Sequence, residues 1–195
     1  MAIGSSIIGH GRWRITVTGQ GNHAGTTSMS DRHAPVAVAA HITLAAQKAA
    51  RSTPSARATV GRIVPVPGGT NVIASSVDVW LDVRHPDDDV VRGLVRTIVE
   101  ETGEVVAQEG CSVPVREESF SPTAHFATGL RHHLTRVLPD TPILDTGAGH
   151  DAGVLAPFAP TAMLCVRNPS GVSHSPEEHA EPDDSPKRSR PCWQT

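Results

Sequence analysis

The chain has 195 residues, with 17 Lys and Arg against 20 Asp and Glu, a formal net charge of −3, and 11 His. A slightly acidic balance argues against a general binder of nucleic acid or anionic membrane, which carries a basic excess, and no run of about 18 apolar residues could span a bilayer. Three cysteines (Cys111, Cys165, Cys192) are odd in number and widely spaced, so they read as reduced thiols rather than as a disulfide framework or zinc ribbon.

Residues 1–11 lack the charged and long apolar regions of a signal peptide, which makes the cytoplasm the expected location. Only 38% of residues are hydrophobic and 3% aromatic, with no Tyr, so Val, Ile, Leu and Ala must build the core. The length allows one domain or two small ones and disfavours a large, self-sufficient catalytic domain.

Trp13, Ile15 and Val17 alternate with Arg12, Arg14, Thr16 and Thr18, the period of a half-buried strand. A helical period then runs through Val38, Ile42, Ala45, Ala46 and Ala49, with Ser30 or Asp31 as the expected N-cap, Pro35 in the first turn and an end near Arg51. A β-branched run over 58–64 is closed by Pro65, Pro67, Gly68 and Gly69. Val77, Val79, Leu81 and Val83 alternate with Asp78, Trp80, Asp82 and Arg84, the clearest strand in the sequence. Asp87, Asp88 and Asp89 suit a helix N-terminus, followed by the apolar stripe Val91, Leu94, Val95, Ile98 and Val99. After Gly103 a last strand is expected over 111–115, where Pro114 points to a sheet edge. The order β-α-β-β-α-β is that of a ferredoxin-like sandwich, an α+β fold with two helices on one face of an antiparallel sheet. Beyond Ser119 the expectation is a helix over 124–138, a Gly- and Asp-rich loop over 145–153, a short helix near 152–156 and a strand over 161–166. Residues from Glu181 on have almost no apolar period and read as a disordered tail.

Four polar clusters fall in loops at strand or helix ends, where sites are commonly built. Gly21-Asn-His23-Ala-Gly-Thr-Thr27 could present an imidazole to a ligand, or be an ordinary turn into a helix. Gly68-Gly-Thr-Asn71 permits close backbone approach and offers an amide, or is a connection with Asn in a left-handed conformation. Asp82-Val-Arg84-His could hold a carboxylate bidentately, although a structural salt bridge to Asp82 or Asp87 is at least as common. Gly147-Ala-Gly-His150-Asp151, followed by 168–179 with His174 and His179 among Glu177 and Glu178, is metal-site material, yet one short stretch rarely supplies a whole site.

In order, His23-Ala-Gly-Thr-Thr with Met29 and Arg32, Gly-Gly-Thr-Asn71-Val-Ile, Leu-Asp-Val-Arg84-His-Pro-Asp, Gly-Ala-Gly-His150-Asp151-Ala and Gly171-Val-Ser-His174-Ser-Pro-Glu-Glu resemble the M20 metallopeptidase-like amidohydrolases. The likeness is strongest to the branch of N-carbamoyl-L-amino-acid hydrolases, allantoate amidohydrolases and ureidoglycolate amidohydrolases, and runs from about Ile3 to Asp184. It implies a ferredoxin-like lid and dimerisation domain over 1–118, part of an α/β zinc-hydrolase catalytic domain over 119–184, and a tail over 185–195. It implies a hydrolase of linear amide or ureido C–N bonds that uses two divalent metal ions, Zn or Mn, acts on an anionic small molecule and dimerises through the lid. By the same resemblance His23 reaches the partner subunit's site to contact substrate and the developing oxyanion. Asn71 and Arg84 bind the substrate's carboxylate or ureido group, Gly171 lends backbone contacts, His150 and Asp151 shape the site floor, and His174 is a metal ligand.

Three departures qualify this expectation. The family's other metal ligands, including its bridging Asp, and its general-base Glu precede the lid, a region with no counterpart here, and the apolar helix that follows in the family has no counterpart in Ser185 to Thr195, which predicts a chain truncated or frame-disrupted at both ends. One ligand of a two-metal site cannot polarise an amide and generate hydroxide. Ser28 stands where Pro is usual and Ala34 where Asp is usual, weakening the helix start. The alternative expectation is therefore a non-catalytic dimerisation module or an inactive remnant.

Overall fold

The computed structural model describes residues 1–182; the expected tail over 185–195 lies outside the described residues. The chain divides into two units, one of Ile8–Thr123 and one of Met1–Ile7 with the chain from Ala124 on. The first unit therefore starts and ends several residues later than the expected 1–118, because strand β1 (Ala2–Ile7) pairs within the second unit.

In the Ile8–Thr123 unit the elements are β2 (Gly9–Thr18), the short β3 (Asn22–His23), α1 (Pro35–Ser52), β4 (Arg57–Val66), the short β5 (Val72–Ile73), β6 (Ser76–His85), α2 (Asp88–Glu101), α3 (Gly103–Gln108) and β7 (Val115–Ser121). The long strands lie in the order β4-β6-β2-β7, every neighbouring pair antiparallel, which is the ferredoxin-like arrangement expected from the sequence. Trp13, Ile15 and Val17 of β2 and Val77, Val79, Leu81 and Val83 of β6 pack against Val38, Ile42 and Ala46 of α1 and Val91, Leu94 and Ile98 of α2. Each fully buried Val, Leu or Ile here is worth about 1.5–3 kcal/mol, and the alanines of α1 let the helix lie close to the strands. The opposite sheet face carries the alternating polar set, where Trp80 is flanked by the guanidinium groups of Arg14 and Arg62, 5.3 and 4.5 Å from its ring centre.

Helix starts and the last strand differ from expectation. Residues 29–31 form one 3-10 turn, and α1 begins only at Pro35, whose fixed φ and missing N–H suit the first helical position. Residues 103–108 are helical, and the strand expected over 111–115 forms instead at Val115–Ser121, although it is a sheet edge as Pro114 implied. Gly19 lets the chain pass close to the start of α1, since a Cβ there would lie 2.4 Å from the His33 carbonyl oxygen.

The second unit adds β8 (Ala124–His125), α4 (Thr128–Val137), β9 (Ile143–Thr146), α5 (Asp151–Leu155) and β10 (Leu164–Cys165). Strand β1 is its organiser, pairing in parallel with β9 and antiparallel with β8 and β10. Its small core gathers Ile7, Phe126 and Ala152. The sequence pattern missed β1 and β9, began α4 four residues early and overextended β10, because strands this short leave no measurable period. No helix among the described residues is long and apolar enough to cross a membrane.

Candidate functional site

His23 and Asn71 are brought together. β3 and β5 form a two-stranded ribbon in which His23 faces Val72, and the Ala24 N–H donates to the Asn71 carbonyl at 3.0 Å. Beyond His23 the chain folds back: the amides of Thr26 and Thr27 donate to the His23 carbonyl at 3.4 and 3.2 Å, and the Thr27 hydroxyl at 2.8 Å. The Gly25 N–H donates to His23 Nδ1 at 3.0 Å, so the neutral ring carries its proton on Nε2. An exposed donor results. Asn71 is exposed too, and its side-chain amide makes no hydrogen bond among the described residues. It is not left-handed; among the described residues the non-glycine positions with positive φ are Ser55, Asp140 and His174.

Arg84 lies elsewhere in the same unit. Its Nε and Nη2 donate to both oxygens of Asp82, at 2.6 and 3.1 Å, which fixes the guanidinium plane and raises its pKa. The salt bridge weighed from the sequence is thus formed with Asp82. The β3–β5 ribbon emerges at the Ser76 end of β6, whereas Arg84 pairs with His10 at the other end, eight residues away. At the rise of a strand that is about 26 Å. One small ligand cannot touch both Arg84 and the ribbon that bears His23 and Asn71 in the same chain.

The remaining residues belong to the second unit. His150 is the N-cap of α5, its Nδ1 accepting the Ala152 N–H at 3.0 Å, and Asp151 occupies the exposed first turn. Gly171 takes φ +67°, a left-handed conformation that suits glycine, and His174 takes φ +60°. Their loop is braced internally: the Asn168 amide donates to the Val172 carbonyl at 2.6 Å, and the His174 N–H donates to Glu178 Oε2 at 2.8 Å. Among the described residues no group of three or more His, Cys, Asp or Glu side chains could hold a metal ion, so they do not by themselves build the two-metal centre that the resemblance implies.

Two supporting residues were not assigned from sequence. Arg32 Nη2 donates to the carbonyls of Ala24 at 2.7 Å and Thr27 at 3.2 Å, and its Nε reaches the Thr27 carbonyl at 3.3 Å. Glu109, beyond the end of α3, accepts the Ala34 N–H at 2.9 Å and replaces the capping side chain that Ala34 lacks. Arg32 sits within the quoted motif, but only the folded turn shows which carbonyls it meets. Glu109 had no sequence signal at all, since its partner lies 75 residues away.

No protein-family profile matches the chain. Among curated proteins, an N-carbamoyl-L-amino-acid amidohydrolase of Pseudomonas sp. is 32% identical over 190 residues, covering 94% of this chain and 46% of the relative. An allantoate amidohydrolase of Escherichia coli is 28% identical over 185 residues, covering 92% and 45%. Among solved structures, an amidase of the hydantoinase/carbamoylase family from Burkholderia multivorans superposes with a TM-score of 0.78 at 30% identity, over 93% of this chain and 45% of that one. The chain is a homologue of amidohydrolases that act on carbon–nitrogen bonds. Its relatives within them are the N-carbamoyl-L-amino-acid and allantoate amidohydrolases, and it spans about half the length of those it matches.

Proposed function

We propose that this chain supplies the substrate-binding half of a metal-dependent hydrolase that opens a linear amide or ureido C–N bond, of the N-carbamoyl-L-amino acid or allantoate type. The observation that carries this reading is the paired presentation of His23 Nε2–H and the Asn71 amide on one exposed ribbon. Attack on an amide carbonyl places negative charge on its oxygen, and fixed N–H donors aimed at that oxygen lower the barrier. Arg84, held in plane by Asp82, suits the carboxylate that these substrates share. His174 would contribute one ligand to two divalent ions, Zn or Mn, with Gly171, His150 and Asp151 around it. The other ligands would come from the part of the relatives that this chain does not cover.

The placement of the ribbon and Arg84 at opposite ends of β6, about 26 Å apart along the strand, supports a homodimer in which one copy binds the carboxylate and the other contacts the reacting carbonyl. Of the two sheet edges, β7 is blunted by Arg116, Glu117 and Glu118, whereas β4 is a ten-residue strand with Ile63 45% exposed. α1, packed beside β4, exposes Leu44 to 62%. We place the dimer contact along β4 and α1, and the protein in the cytoplasm.

A second reading, a dimerisation module or remnant without catalysis, is favoured by the lack of any three-ligand cluster among the described residues. Turnover separates the two. The chain alone with zinc or manganese should release no ammonia from N-carbamoyl-L-amino acids or allantoate. A chimera in which it replaces the matching segment of a curated N-carbamoyl-L-amino-acid amidohydrolase should release it, and His23→Ala in that chimera should cost about 100-fold or more in kcat. A chimera that folds, dimerises and binds metal but hydrolyses neither substrate would overturn the hydrolase reading.

A further inference from the structure

We propose that Arg32 is a positioning residue for His23, setting both the direction of the ring and the nitrogen that carries its proton. This rests on the reading of His23 as a substrate contact. The turn over 24–27 places no buried side chain in the core, so apolar packing does not hold it. Its order comes from polar contacts on two sides. On one side the His23 carbonyl collects the Thr26 and Thr27 amides and the Thr27 hydroxyl. On the other, the Arg32 guanidinium bridges the carbonyls of Ala24 and Thr27, one just before and one just after the Gly25-Thr26 pair.

That bridge keeps the Gly25 N–H beneath Nδ1, and the Gly25–Nδ1 bond puts the proton on Nε2. Arg32 is itself anchored. It is half-buried and lines a cavity of about 370 Å³ walled by Val36, Pro65, Pro67 and Val72, so its charged bonds are partly shielded from water. The short turn that follows is braced separately, the Ser28 and Ser30 hydroxyls both donating to Asp31 and lowering its pKa, Ser28 most. A planar fork can reach two carbonyls at once, while a lysine ammonium on a flexible stem is a point charge with no such geometry. Lysine at position 32 should therefore keep the charge and lose the bridge.

The test is nitrogen-15 NMR of the His23 ring in the full chain, with amide hydrogen exchange of Gly25, Thr26 and Thr27, for wild type, Arg32→Lys and Arg32→Ala. Wild type should show the Nε2–H tautomer. Both variants should show a mixture of tautomers, and those three amides should exchange roughly tenfold faster, the effect of losing about 1.4 kcal/mol of local stability. A ring signal and exchange rates unchanged in Arg32→Lys would overturn the proposal, whether or not Arg32→Ala folds. Neither readout requires turnover, so loss of the hydrolase reading through the chimera leaves this result standing, and the converse holds.

Discussion

At the scale of single residues, the joint that carries the His23 loop into α1 depends on contacts distant in sequence. Ala34 has no side chain with which to cap α1, yet the Glu109 carboxylate reaches the Ala34 amide, and the Glu109 carbonyl meets His33 Nδ1 at 2.8 Å. The carboxylate also adds negative charge at the positive end of the helix. Glu109→Ala should therefore destabilise the fold by about 1 kcal/mol, as loss of a cap does, read as a lower urea midpoint with an unchanged slope. The helix start looked weakened from the sequence because a missing local cap is visible there, while a replacement arriving from the end of α3 is not. The neighbourhood of His23 and Asn71 was legible only through the ordered motifs. Their roles were not set by residue type, since a Gly/Thr turn and an Asn in a loop are each commonplace.

At the scale of elements, long strands and helices with a full apolar period stood out, and short pieces did not. β6 and α2 each place four apolar residues of the core on one face and β2 three, which is enough to fix their type. Residues 103–108 hold two valines and only a turn and a half of helix, stabilised by packing of Val105 and Val106 on the core, so local preference pointed elsewhere. On the open sheet face the strands are linked by polar side chains. Asp78 of β6 accepts from Arg14 and, at 2.6 Å, from the Thr16 hydroxyl of β2, and these bonds, that of Arg14 first, hold its carboxyl below the usual carboxylate range. A lowered folded pKa means that this contribution is complete above the unfolded value of about 3.9 and fades as pH falls through the folded one. Asp78→Asn should thus be less stable than wild type at pH 7, and the gap in urea midpoint should close below about pH 4.

At the scale of the whole molecule, the fold comprises a ferredoxin-like unit and a second unit built around β1, in a chain about half as long as its curated relatives. The expected boundary missed β1 because a strand whose partners are β8, β9 and β10 cannot be assigned to a unit before those partners are known. The separation of Arg84 from the His23–Asn71 pair was latent in the alternating strand that ends at Arg84 and became a constraint only with the register of β6 on β2. It motivates the proposal that one site draws Arg84 from one copy and His23 from the other. Mixing two inactive chimeras, one His23→Ala and one Arg84→Ala, tests this most directly. In mixed dimers one of the two sites would then have both residues intact, and random pairing in a two-fold dimer should restore about a quarter of the unmutated ammonia release. No recovery above either parent, with mixed dimers present by native mass spectrometry, would contradict a site shared between two copies.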